Sequence, residues 1–187
     1  MNLYKVVVLT ISDKCSKGQR EDESGKIVEE LAKTIPGEVI KYEVIPDEPA
    51  MIKERLISYC DNLKADLVLT TGGTGFTARD VTPEATMAVI EKEAPGIPEA
   101  MRVMGLRSTE RAMLSRGIAG IRKKTLIINL PGSSRGAKES LSAVIAAEPL
   151  KVAARVASYT LFAAVTPLIT RPSLVMSAVT PTGWIRL

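Results

Sequence analysis

The sequence predicts an α/β fold, a three-layer α/β/α sandwich on a mostly parallel central sheet. Three observations predict it. Tyr4–Ile11 and Asp66–Thr71 are nearly continuous apolar runs rich in β-branched residues, as expected of strands buried on both faces. Strand-like and helix-like segments alternate along the chain, which puts helices on both sides of a sheet. Four polar segments each follow directly on a strand, at the edge where open parallel sheets hold ligands.

Taken in order, Tyr4–Ile11 is the first strand and SDKCSKGQREDESG is a polar connection. Ile27, Val28, Leu31, Ala32 and Ile35 recur at helical spacing until Pro36-Gly37 stops them. Glu38–Ile45 alternates and reads as a second strand. Asp47-Glu48-Pro49 opens a helix that Met51–Leu63 continues, with proline near its first position. Asp66–Thr71 is the third strand and runs straight into GGTGFTARD. Thr82-Pro83-Glu84 reads as a helix entry with Thr82 as N-cap, and Pro95-Gly96 ends that helix. A further helix starts at Pro98 and reaches about Leu106. Gly117–Arg122 and Thr125–Leu130 are strands joined as a hairpin through Lys123-Lys124, and a last helix covers Gly136–Ala147.

Composition excludes several chemistries. The 187 residues contain no histidine, so there is no Ser-His-Asp or Cys-His machinery and no His-ligated zinc. Cys15 and Cys60 are too few for a disulfide framework and read as reduced thiols of a cytoplasmic protein. The net charge of +4 sits in Lys151, Arg155, Arg171 and Arg186, in a stretch without acids. Residues 1–148 are therefore expected to form one neutral domain, and residues 149–187 a divergent C-terminal tail. The basic excess is sparse and has no aromatic interleaving, which argues against nucleic acid as a partner. The opening MNLYKVVVLTISD lacks the pattern of a signal peptide. The uncharged stretch 156–170 contains Pro167 and is too short to span a membrane, so no membrane partner is expected either.

The chemistry-bearing segments are Ser12-Asp13, Pro46-Asp47, Gly72–Asp80 and Asn129–Ser134. In TTGGTGFTARD, Gly72, Gly73 and Gly75 let the backbone approach an anion, and Thr71, Thr74 and Thr77 add hydroxyl donors. The loop matches neither a P-loop nor a full dinucleotide fingerprint, because the next helix starts too late. Asp80 either caps the turn before Thr82 or holds a Mg²⁺ that bridges carboxylate and phosphate. Asp47 reads equally as a helix N-cap or a ligand, and Asp13 as a turn stabiliser or a ligand. Ser133 or Ser134 can cap the last helix or leave its amides to a phosphate, with Gly132 permitting the turn. Cys15 is treated as incidental, and Met101 and Met104 as core.

Three segments, TISDKCSKGQREDESG, TTGGTGFTARDVTPEAT and AMLSRGIAGIRKKTLIINLPGS, together resemble the molybdenum cofactor biosynthesis family over roughly residues 4–147. The pattern is similar to the molybdopterin adenylyltransferase (MogA) type and to the G domains of gephyrin and its plant counterpart. MoaB, MoeA and CinA proteins share the GGTG loop, and DVTPEAT with IPDEPA favours the MogA type. The resemblance implies transfer of AMP from ATP to the terminal phosphate of molybdopterin, with pyrophosphate released. It implies Asp80 and Asp47 as the essential aspartates, with Asp80 on Mg²⁺. It also implies a substrate pocket of Ser12, Asp13, Gly72, Gly73, Thr74, Gly75, Ser115, Gly132 and Ser133. A homotrimer and hand-over to a molybdenum insertase follow from the same resemblance. The alternatives are an insertase-like protein, a pterin-binding non-enzyme of the same fold, and a nucleotide-binding oxidoreductase, which the late helix start disfavours.

Overall fold

A computed structural model describes residues 3–146 of the chain. The expected tail over 149–187, with its uncharged stretch 156–170, lies outside the described residues. Six strands form one sheet: β1 (Tyr4–Ile11), β2 (Gly37–Ile45), β3 (Leu67–Thr71), β4 (Lys92–Glu93), β5 (Ala119–Arg122) and β6 (Thr125–Leu130). Their order is β2-β1-β3-β6-β5-β4. The pairings β1/β2, β1/β3 and β3/β6 are parallel, while β5/β6 and β4/β5 are antiparallel. The sheet is thus mixed but mostly parallel. The helices are α1 (Asp13–Ser16), α2 (Glu23–Ala32), α3 (Pro49–Asp61), α4 (Thr82–Met87), α5 (Gly96–Leu106) and α6 (Ser134–Ala146), with a 3-10 turn at Glu110–Leu114.

The unbroken apolar runs follow from two covered faces. Val6 and Val8 face one core with Val28 of α2, Met101 of α5 and Leu141 of α6. Val7 and Leu9 face the other with Ile52 and Leu56 of α3 and Ala85 of α4. Side chains alternate faces along a strand, so a strand buried on both sides needs apolar residues at every position.

Several expectations need correction. The connection after β1 is not all loop. The Ser12 hydroxyl accepts from the Cys15 amide at 3.3 Å and starts the short α1. Helix α2 begins at Glu23, where the Asp22 carboxylate accepts from the Gly25 amide at 2.9 Å. Thr82 is the first residue of α4 and not its cap. Its hydroxyl donates to the Gly72 carbonyl at 2.9 Å, and no side chain caps that helix. Helix α4 also ends at Met87, well before Pro95. Downstream, the Glu91 and Ala94 amides donate to the Ile121 and Ala119 carbonyls, each at 2.8 Å, so the chain there joins the sheet edge as β4. Among the described residues no helix is long and apolar enough to cross a membrane.

Candidate active site

Because β1, β2, β3 and β6 run parallel, the segments leaving their C-terminal ends meet along one edge of the sheet. The Gly72–Asp80 loop occupies its middle. Gly72 has φ +102 and Gly73 φ +62, backbone conformations that a side chain disfavours. The Gly72 amide donates to the Leu130 carbonyl at 3.3 Å. That commitment corrects the expectation that Gly72 offers its amide to a phosphate: its role is to let β3, β1 and β6 close together. The amides of Gly73 and Thr74, by contrast, donate to no protein acceptor among the described residues.

Asp80 closes the loop. Its Oδ2 accepts from the Thr77 amide at 2.8 Å and from the Thr77 hydroxyl at 2.6 Å. Burial opposes its ionisation, but the Thr77 hydrogen bonds and the nearby Arg116 charge hold its pKa below the ordinary carboxylate value. Asp47 does not cap α3. Its Oδ2 accepts from the Asp13 amide at 2.8 Å, and Asp13 Oδ1 accepts from the Asp47 amide at 3.2 Å. This reciprocal brace ties the ends of β1 and β2. Arg79 then takes both oxygens of Asp13, at 3.0 and 2.9 Å, and reaches Glu48 at 2.9 Å.

These contacts set the two aspartates apart. Arg79 holds Asp13 below the ordinary carboxylate pKa. Burial pushes Asp47 up; the Asp13 amide and Arg79 work against that, while the Asp13 and Asp80 carboxylates add to it. A carboxyl whose folded-state pKa is raised destabilises the fold when ionised, and that penalty disappears as pH falls through the raised value. Asp47→Asn is therefore expected to melt at or above the wild-type temperature at pH 7. The advantage should shrink on acidification toward the Asp47 pKa, as thermal melts across that range would register. A clear loss of stability at pH 7 would contradict the assignment.

A cleft of about 390 Å³ opens beside the loop, lined by Gly73, Thr74, Gly75 and Asp80 on one side. Ser115, Gly132 and Ser133 also line it, and its far wall is Met101, Arg102 and Arg111 with their neighbours on α5 and the 3-10 turn. A second cleft of about 280 Å³ is lined by Arg20–Ser24 and Gly132–Ser134. The two share Gly132 and Ser133 at the start of α6. There the Ser133 hydroxyl accepts from the Gly136 amide at 3.2 Å, so Ser133 does cap the helix. The amides of Ser134 and Arg135 donate to no protein acceptor among the described residues. Unpaired amides at the start of a helix favour anions. Ser12 and Asp13 line neither cleft, since they serve α1 and the Asp47 brace. Asp47 lies against Gly73, its Oδ1 3.3 Å from where a Cβ on Gly73 would sit.

Among the described residues no group of three or more His, Cys, Asp or Glu side chains converges to hold a metal. A resident ion in an all-protein cage does not fit this edge. A Mg²⁺ that arrives with phosphates does, because such an ion needs only one or two carboxylates. Asp80 Oδ1 carries no hydrogen bond among the described residues, and a Cβ on Gly75 would lie 2.9 Å from Asp80 Oδ2, so the carboxylate sits directly on the loop. Residues that the sequence did not mark also shape the site. Arg79 fastens the Asp13–Asp47 brace, and Arg116 holds the loop from the far side. Their partners are distant in sequence, and no local signal marks them.

Comparison with known proteins bears on this geometry. A family model described as "Probable molybdopterin binding domain" matches residues 7–151. The molybdopterin adenylyltransferase of Helicobacter pylori (strain J99) is 46% identical over 151 residues, covering 80% of this chain and 86% of that protein. The molybdopterin adenylyltransferase of Escherichia coli (strain K12) is 44% identical over 151 residues, covering 79% of this chain and 77% of that protein. The solved structure of the molybdopterin biosynthesis enzyme MoaB from Thermus thermophilus superposes with a TM-score of 0.77 at 48% identity, covering 82% of this chain and 98% of that one. On the matched family model and these identities, with the glycine-rich loop and the α6 turn facing each other across one sheet edge, the chain belongs to the molybdenum cofactor biosynthesis family of molybdopterin-binding domains.

Proposed function

We propose that this chain is a molybdopterin adenylyltransferase, transferring AMP from ATP to the terminal phosphate of molybdopterin. The observation that carries the reading is the pair of clefts that share Gly132 and Ser133 at the start of α6. One is lined by Gly73 and Thr74 and the other by Ser134, and the amides of these three donate to no protein acceptor among the described residues. Two phosphate-bearing molecules can enter from opposite sides and bring their phosphates together at one point. The activity named for the bacterial relatives needs that arrangement.

In the reaction an oxygen of the molybdopterin phosphate attacks the α-phosphorus of ATP. A new P–O bond forms, the bond from the α-phosphorus to the bridging oxygen breaks, and pyrophosphate leaves with the electron pair. The nucleophile is already an anion at neutral pH, so no general base is required, consistent with a chain without histidine. What the protein contributes is alignment and charge neutralisation. The Gly73 and Thr74 amides and the start of α6 orient the phosphates. Asp80, with Asp47 behind the loop, would hold Mg²⁺ carried in on the triphosphate. The ion supplies neutralisation of the charge that builds on the departing pyrophosphate. Arg102 and Arg111, on the far wall of the larger cleft, add positive charge. The reading includes a cytoplasmic homotrimer that passes its product to an insertase. Met101 is buried as expected, but Met104, expected in the core, is exposed. With exposed Val103, Leu106, Met113 and Leu114 it gives α5 and the 3-10 turn apolar surface for subunit contact.

Incubating purified protein with molybdopterin, ATP and Mg²⁺ tests the reading. Pyrophosphate release should require all three. Release without the pterin, or none with every component present, would sink it.

A further inference from the structure

We propose that Arg116 is a positioning residue, a clamp that sets the Gly73–Asp80 loop for the nucleotide phosphates. The proposal rests on the adenylyl-transfer reading above. Arg116 follows the 3-10 turn, and its amide donates to the Thr74 carbonyl at 2.9 Å. Its Nε donates to the Gly75 carbonyl at 2.7 Å and its Nη2 to the Asp80 carbonyl at 2.5 Å. Its Nη1 pairs with Glu84 in the first turn of α4. One side chain thus joins the start of the loop, its end and the helix that follows.

Thr82 also ties α4 back to the start of the loop, its amide donating to the Gly73 carbonyl at 3.1 Å and its hydroxyl to the Gly72 carbonyl at 2.9 Å, and Arg79 ties the loop to Asp13. Among the described contacts, however, Arg116 alone joins the Thr74, Gly75 and Asp80 carbonyls to Glu84. Phe76, Thr77, Ala78 and Arg79 are exposed. The Thr77–Asp80 hydrogen bonds close the loop on itself and do not fix its direction relative to the sheet. Arg116 is itself anchored, because Gly117 packs so close to β6 that a Cβ there would lie 2.8 Å from the Asn129 carbonyl oxygen. Peptide planarity carries the consequence further. When the Thr74 and Gly75 carbonyls point at Arg116, the amides of Gly75 and Phe76, trans across the same peptide planes, point away from it. Arg116 does not line the cleft. It acts through Gly75 and Asp80, which do.

A guanidinium is required because its planar fork places several donors in fixed directions, whereas an ammonium is a single point charge. Arg116→Ala and Arg116→Lys should both fold. In each, kcat/KM for ATP should fall about a hundredfold, and Mg²⁺-dependent affinity for a non-transferable ATP analogue, read by calorimetry, about tenfold. Millimolar guanidinium ion should restore part of both in Arg116→Ala and neither in Arg116→Lys. Folded variants that match wild-type analogue affinity and kcat/KM would overturn the proposal. So would an activity loss that merely tracks the unfolded fraction and is not rescued. If the wild type binds the analogue but releases no pyrophosphate with molybdopterin, the reaction assignment fails separately, while the analogue affinities still test the clamp.

Discussion

Asp80→Asn should leave the fold intact and lower AMP transfer about a thousandfold. The two halves of that expectation come from different atoms of one side chain. Asp80 Oδ2 closes the loop by accepting from the amide and hydroxyl of Thr77. An asparagine carbonyl oxygen accepts the same two bonds, so the turn persists and the melting temperature should stay within a few degrees. What the substitution removes is the negative charge, and with it the affinity of the loop for a divalent ion beside the phosphates. A thousandfold loss corresponds to about 4 kcal/mol of transition-state stabilisation. Pyrophosphate release per folded molecule reads it. A folded Asp80→Asn protein with full turnover would remove Asp80 from the reaction.

Gly72→Ala is the substitution expected to damage the fold most. At φ +102 any side chain is strained, at a cost of about 1–3 kcal/mol. The added Cβ would also lie 2.1 Å from the Ile11 carbonyl oxygen, a backbone atom that cannot move without shifting β1. The two effects together should cost at least about 3 kcal/mol, a large part of the stability of an ordinary domain. Melting should drop by about 6–12 °C, or soluble expression should fail. Gly18→Ala is the matched control. It has φ +68 but nothing within 4 Å of its Cβ, so strain acts there without a clash and the loss should be much smaller. Equal melting temperatures for the two variants would show that the closeness of Gly72 to β1 is not what the position demands.

Much of the architecture was legible because the strands advertise themselves. A run such as VVVL in β1 has no polar face, and only burial between two helical layers explains it. The hairpin was equally plain, with Lys123 at φ +51 turning β5 into β6. Helix ends were less legible. Val89 and Ile90 continue an apolar pattern past Met87, yet nearby backbone groups pair with β5. The sequence around them carries no sign of that partner, which lies some thirty residues downstream.

The site divides in the same way. Gly73, Thr74, Gly75, Asp80, Ser115, Gly132 and Ser133 stand together on one cleft, and each was marked by glycine content, by position after a strand or by the family motif. Gly72 was marked for the right reason, its conformational freedom, but the wrong use. Its neighbour is Ile11, and nothing local to the loop names that neighbour. Asp47 before Glu48-Pro49 looks like a cap from its immediate neighbours alone, whereas its actual partner is the Asp13 amide at the start of α1, beyond the end of β1. Arg79 and Arg116 do their work through residues far along the chain, so no single-sequence signal could have found them.

The most direct measurement is simultaneous binding. Titrate the protein with an ATP analogue carrying a methylene bridge between its α and β phosphates, in Mg²⁺, before and after saturation with molybdopterin. Two clefts that meet only at their phosphate ends should accept both molecules on one chain, with the affinity for each largely kept in the presence of the other. Strict competition, with each ligand displacing the other, would mean that a single pocket serves both and would contradict the account.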